Sequence, residues 1–128
     1  MDLKFTLFLL LALLVLYVIY VTFNLNEAFE CNAAELPNKL KPDEKQLVLF
    51  HADWCGHCKK IKPDWDEVAG QVGDGKMIKV NVGDGTEEQK KTMAKYGIQG
   101  FPTIISFENG NPTPFESRDK SSFLDFFS

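Results

Sequence analysis

Cys55 and Cys58 stand three residues apart in the run Trp54-Cys55-Gly56-His57-Cys58. On the first turn of a helix, side chains at i and i+3 face the same way and lie close enough to bridge. Two thiols so placed can exchange with a disulfide. The attacking species is the thiolate, and a helix N-terminus favours it, because unpaired amides and aligned peptide dipoles stabilise an anion there. Cys55 is therefore expected at a helix N-terminus, as the nucleophile. Cys58, one turn further in, is expected to be more buried and to resolve the mixed disulfide. His57 between them adds positive charge that favours the thiolate, and Gly56 lets a substrate backbone come close. A cysteine pair at this spacing is also half of a zinc site. Zinc asks for four ligands, and beyond the pair the chain offers only His51, His57 and the distant Cys31. His57 would point away from a site made by both cysteines, so no metal is expected.

The positioning elements follow from pattern. Gln46 to Ala52 is a short apolar run suited to a buried strand. A helix is expected from Cys58 to Val72, with Ile61, Trp65, Val68, Ala69 and Val72 on one face, a kink at Pro63 and an end at Gly73-Asp74-Gly75. Met77 to Val82 alternates as a second strand. Thr86 caps a helix that carries Glu87 and Glu88 in its first turn and stops at Gly97. Thr103 to Phe107 is a third strand. Glu108-Asn109-Gly110-Asn111 is a hairpin turn, and Thr113 to Ser117 the returning edge strand, where prolines are tolerated. Ser121 or Ser122 caps a last helix bearing Phe123, Leu124, Phe126 and Phe127. This order predicts an α/β domain, a central mixed sheet with helices on both faces.

The stretch Phe50-His51-Ala52-Asp53-Trp54-Cys55-Gly56-His57-Cys58-Lys59 resembles the thioredoxin superfamily, its protein disulfide isomerase branch above all. Pro63 matches the proline of the family's active-site helix, and Gly100-Phe101-Pro102-Thr103 matches its cis-proline loop. The resemblance covers Gln46 to Ser128. It implies a thioredoxin-like fold and a redox-active Cys55–Cys58 disulfide with no other cofactor. It implies cysteine-containing protein substrates and redox partner proteins. It also implies a substrate surface of Trp54, Phe101 and Pro102, where the Phe101 amide and carbonyl pair with the substrate chain. His57 in the central dipeptide implies a reduction potential nearer ~−180 mV, as in protein disulfide isomerase, than ~−270 mV, as in thioredoxin.

The chain departs from the family at several positions. Leu49 stands where the family has a buried acid that helps deprotonate the resolving cysteine, so slower resolution is expected. Lys79 matches the lysine that pairs with that acid; lacking its partner, it is expected to be solvated or shifted. Asp53 replaces a proline or small residue and would partly offset the stabilisation of the Cys55 thiolate. Arg118 falls near an arginine that swings toward the resolving cysteine, or is plain surface charge. The family's first strand and helix have no clear counterpart between Glu27 and Lys45, unless Phe29 to Leu36 supply a degenerate one. His51 is read as a packing residue. Cys31 is a spare thiol, open to an intermolecular disulfide, a lipid or no role at all.

Ahead of this domain, 17 of the 19 residues from Phe5 to Phe23 are apolar, and no charge occurs from Phe5 to Asn26. As a helix they span ~28 Å, close to the ~30 Å hydrocarbon core of a bilayer. The stretch reads as a lipid-embedded anchor rather than a cleaved signal peptide, whose apolar core is ~7–15 residues. The chain then divides into a flank and anchor (1–23), a tether (24–42) and the domain (43–128). Lys4 before the span, and Glu27 and Glu30 after it, favour a cytosolic N-terminus with the domain in an oxidising lumen such as the endoplasmic reticulum. The alternatives are a cytosol-facing domain or another membrane, since anchored proteins of this kind also occur in particles of large DNA viruses.

The whole chain has 128 residues, three cysteines and a net charge of −4. Three cysteines are too few for a disulfide-stapled scaffold. A single arginine and an acidic balance make a poor nucleic-acid binder, because phosphate neutralisation needs clustered cations. Two further functions fit the same residues. One is a tethered binding or chaperone module that uses the cis-proline groove. The other is a disulfide reductase facing the cytosol.

Overall fold

All six residues of the run from Gln46 to His51 are buried, as a strand covered on both faces must be. In the computed structural model, which describes residues 1–28, 30–73 and 75–128, this strand is the middle one of five. The elements run α1 (Leu3–Ala28), β1 (Glu30–Cys31), α2 (Leu36–Lys39), β2 (Gln46–His51), α3 (Gly56–Val72), β3 (Met77–Asn81), α4 (Glu87–Tyr96), β4 (Thr103–Glu108), β5 (Asn111–Pro114) and α5 (Lys120–Phe127). The sheet order is β1-β3-β2-β4-β5. β2 lies parallel to β3 and antiparallel to β4, so the sheet is mixed, as expected. Phe29 and Asp74, both used in the sequence reading, lie outside the described residues.

Alternation along β2 divides the core in two. Val48 and Phe50 face Leu36, Ile78, Val80 and Phe107, with Met93 and Tyr96 of α4 packed on them. Leu47 and Leu49 face Ile61, Trp65 and Val68 of α3 and Phe123 of α5. Each such side chain contributes roughly 1.5–3 kcal/mol on burial. The C-terminal end of β2 is thereby held from both faces, and that end leads directly into the cysteine motif.

Several boundaries differ from the sequence reading. α3 begins at Gly56 rather than Cys58, with extended Cys55 as its N-cap, and it continues through Pro63. The proline lacks only the amide that would reach the Lys59 carbonyl. β5 covers Asn111–Pro114 rather than Thr113–Ser117. Asn109 and Gly110, at φ 53° and 77°, close a two-residue turn, so pairing begins at once with Glu108 opposite Asn111. α5 is capped by Asp119, whose carboxylate accepts from the Ser122 amide at 2.9 Å, rather than by a serine. Hydrogen bonds from Ser122, Ser121 and Ser117 hold that carboxyl at a pKa of about 2. Thr86 caps α4 as expected, and Gln89 completes a capping box.

Part of the stretch read as a tether belongs to the domain. Glu30 and Cys31 pair with Lys79 and Val80, and Leu36 is fully buried. This short strand and the start of the single helical turn fall in the Phe29 to Leu36 stretch offered as a degenerate counterpart of the family's first strand and helix. Ahead of them, the window Leu3–Phe23 of α1 has a mean hydropathy of 2.6 and none of it is buried in the domain. Among the described residues it is the one helix long and apolar enough to cross a membrane, by length and composition.

Gln46 clamps the tether-side segment to the sheet. Its amide donates to the Lys39 carbonyl at 2.9 Å and the Gly75 carbonyl at 2.7 Å, and its oxygen accepts from the Lys41 amide at 2.7 Å. Leucine there would strand three backbone groups, at about 1–3 kcal/mol for each group left buried without a partner. Gln46→Leu is expected to lower the urea unfolding free energy by about 3 kcal/mol or more; a loss under about 1 kcal/mol would show that the clamp is dispensable.

Candidate active site

Cys55 closes the turn between β2 and α3. Its amide donates to the Ala52 carbonyl at 3.0 Å, and its carbonyl accepts from the Lys59 amide at 3.2 Å. Cys55 is 7% exposed and Cys58 is fully buried. Both are free thiols, clustered with Ala52 and covered by Phe101. The Cys55 thiol donates to the Phe101 carbonyl across 3.8 Å. The Phe101–Pro102 peptide is cis. Two loops from opposite ends of the sequence therefore meet at one sulfur.

The two thiols differ in electrostatics. Cys55 is held below the ordinary thiol value. The main cause is a hydrogen bond from the Cys58 thiol, followed by the amides of Cys58 and His57 and the positive charge of Arg118. Cys58 is pushed up to about 11, chiefly by burial and further by Cys55, against the opposing pull of the Ala52 amide and of Lys62. One thiol gives up its proton readily and donates its anion to attack; its neighbour keeps its proton.

The other residues named from the sequence fall into place around this pair. His57 is exposed, and it is its backbone amide that reaches Cys55. A Cβ on Gly56 would meet nothing within 4 Å, so the approach to the motif is open there. Trp54 is 67% exposed; its indole N–H donates to the Gly83 carbonyl at 2.9 Å, and its ring meets Phe101 edge-on at 5.7 Å. Pro102 is buried. Arg118 Nη2 donates to the Pro102 carbonyl at 3.4 Å, which sets the guanidinium beside the cis-proline loop.

Asp53 turns to other partners than the thiolate. Its carboxylate lies 3.8 Å from Lys62 Nζ and 3.7 Å from His51 Nδ1, and accepts from Asn81 Nδ2 at 3.3 Å. Lys79 is not solvated: its side chain is 11% exposed and its Nζ is 2.7 Å from Asp66 Oδ1. An acid on α3 supplies the partner that Leu49 cannot, while Leu49 itself packs with Ile61 and Trp65. His51 is fully buried. Its Nε2 is 3.2 Å from Glu30 Oε1, yet neither ring nitrogen has an aligned hydrogen-bond partner. That contact is the main reason the Glu30 carboxyl sits below its ordinary value. Cys31 lies in the core rather than on a free tether, and burial pushes its thiol up to about 11. Among the described residues, no three His, Cys, Asp or Glu side chains are grouped as metal ligands would be.

Gly83 was not singled out in the sequence, where it follows the Met77 to Val82 strand. A Cβ there would collide with the Ala52 Cβ and stand 3.0 Å from Trp54 Nε1. Glycine is needed because the loop after β3 passes directly against the loop that carries Cys55.

Residues 27–126 match the thioredoxin family model. The chain belongs to the thioredoxin family. Its fold is similar to that of the J-Trx1 fragment of ERdj5, at a TM-score of 0.64 and 25% identity over 77% of this chain and 47% of that one. Among curated proteins it is 38% identical to protein disulfide-isomerase erp38 of Neurospora crassa, over 65% of this chain and 23% of that protein. It is 41% identical to the protein disulfide-isomerase-like protein EhSep2 of Emiliania huxleyi, over 62% of this chain and 34% of that one. The chain thus spans about a quarter to a third of the length of these two relatives.

Within this thioredoxin domain, Gly83→Ala is expected to destabilise by about 1–3 kcal/mol, the usual cost of forcing extra volume into a packed site. It should also change the Trp54 environment. Thermal unfolding followed by tryptophan fluorescence checks both; an unaltered Tm would refute the close approach of the two loops.

Proposed function

We propose that the chain is a membrane-anchored thiol–disulfide oxidoreductase of the protein disulfide isomerase kind, acting on cysteines of other proteins. The observation that carries this reading is the contrast between Cys55, 7% exposed at the helix N-cap with a lowered pKa, and Cys58, fully buried with a raised one. The Cys55 thiolate attacks a substrate disulfide. That S–S bond breaks, one substrate sulfur leaves as a thiolate and takes a proton from solvent, and a mixed disulfide forms. Cys58 then loses its proton and attacks the Cys55 sulfur. The second substrate thiolate leaves, the Cys55–Cys58 disulfide remains, and two electrons have passed to the substrate. Run in reverse, the same steps oxidise a substrate dithiol. No cofactor beyond the cysteine pair takes part, and redox partner proteins restore the starting state.

The exposed Trp54 and the Phe101–Pro102 loop form the substrate surface beside Cys55, with Phe101 offering its backbone to an extended chain. The oxidising direction is supported by stabilisation of the thiolate, which favours the reduced form and makes the disulfide the better oxidant. Helix α1 anchors the domain in a bilayer through Phe5–Phe23. The charge bias across it supports a lumenal domain, and the likeness to protein disulfide-isomerases supports an oxidising compartment such as the endoplasmic reticulum.

Trapping separates this enzyme from a tethered binding module. Cys58→Ser incubated with scrambled ribonuclease is expected to give a disulfide-linked adduct on a non-reducing gel, and Cys55→Ser none. If Cys58→Ser forms no adduct, or Cys55→Ala retains full isomerase activity, the oxidoreductase reading fails.

A further inference from the structure

Cys58 must lose its proton inside a seat of Ala52, Cys55 and Phe101, where burial holds that proton firmly. Leu49, on the strand that leads to this seat, carries only hydrocarbon and packs with Ile61 and Trp65. Lys62 follows Cys58 by four residues in α3, so both side chains lie on one helix face. Side chains on a helix lean toward its N-terminus, which for Lys62 is the direction of Cys58. Asp53, two residues before Cys55, draws the ammonium the same way, with Nζ 3.8 Å from Oδ1. The Lys62 side chain is 26% exposed, so it is largely withdrawn from solvent on the helix face it shares with Cys58.

Other charges near this pair are held by partners, and Arg118, whose charge acts on Cys55, donates to the Pro102 carbonyl at 3.4 Å. Lys79 of β3 is paired with Asp66 of α3 at 2.7 Å, and Glu30 of β1 with His51 of β2 at 3.2 Å. Asp53 divides its carboxylate among Lys62, His51 and Asn81. Lys62 has the longest contact of this group, at 3.8 Å. Its positive potential reaches both Cys58 and Glu30.

We propose that Lys62 stabilises the Cys58 thiolate as it forms, and so sets the rate at which the buried thiol completes the exchange. Lys62 is a positioning residue: it acts through Cys58 and does not meet the substrate. In the resolving step the Cys58 S–H proton passes to water and the thiolate attacks the Cys55 sulfur. The bond from Cys55 to the substrate sulfur breaks, and the substrate leaves with the electron pair. Lys62 keeps its proton throughout. The proposal rests on Cys55 and Cys58 being the working pair.

The test uses the reduced full chain in detergent micelles, mixed with glutathione disulfide and followed by tryptophan fluorescence. Attack by Cys55 gives a phase whose rate rises with glutathione disulfide; displacement by Cys58 gives a phase independent of it. Lys62→Met, which preserves helix propensity, is expected to slow the second phase about three- to tenfold near pH 7 and leave the first unchanged. Removing the cation makes Cys58 harder to ionise, so the pH profile of the second phase should move to higher pH. Lys62→Arg should restore the rate to within about twofold. An unchanged second phase, an equal fall in both phases, or no rescue by arginine would overturn the proposal. Absence of both phases in the wild-type chain would overturn the oxidoreductase reading itself, and the proposal with it.

Discussion

The Cys55 sulfur sits where the Cys58 thiol and the amides of Cys58 and His57 converge on it, and the rest of the domain keeps it there. A loose loop would not suffice, because hydrogen bonds to an anion weaken as their distance and angle depart from the preferred geometry. β2 is fixed by buried side chains on both faces and hands its last residue to the turn. The Gly83 loop presses on that turn from one side, and the Phe101–Pro102 loop covers it from the other. Each contact comes from a different element, so the site exists only in the folded sheet.

The same helix start gives its two cysteines opposite characters over a single turn. At the N-cap, Cys55 meets unpaired amides at the edge of solvent, which favour charge. One turn in, Cys58 is surrounded by apolar groups, which oppose charge. The neighbouring thiols act in opposite senses, Cys58 lowering Cys55 and Cys55 raising Cys58, so the proton that one retains is part of what lets the other lose its own. Attack and resolution are thereby divided between two residues of identical chemistry. His57 contributes its backbone amide to this site.

Much of this was legible in the sequence, because the strongest signals are local. The fully apolar β2, the amphipathic α3 and the Asn109-Gly110 turn announce their elements through period and turn chemistry. The cysteine pair announces its reaction through spacing. What escaped notice depends on contacts between distant segments. β1 is two residues long, and only its pairing with Lys79 and Val80 reveals it. Gln46 looks like a polar start to a strand, yet it ties residues 39, 41 and 75 together. Lys79 looked orphaned because its partner, Asp66, lies on another element and not at the family's usual place. Asp53 looked like a threat to the thiolate until His51, Lys62 and Asn81 were seen to hold it.

The central claim is that Cys55 ionises easily while its neighbour does not. It is tested most directly by the pH dependence of iodoacetamide alkylation of the reduced full chain, read residue by residue by mass spectrometry. The account expects Cys55 to be modified first, with a midpoint below the ordinary thiol value of 9.0. Cys58 and Cys31 should resist modification at neutral pH and titrate only near 11. A Cys55 midpoint at or above 9.0, or modification of Cys58 ahead of Cys55, would contradict it.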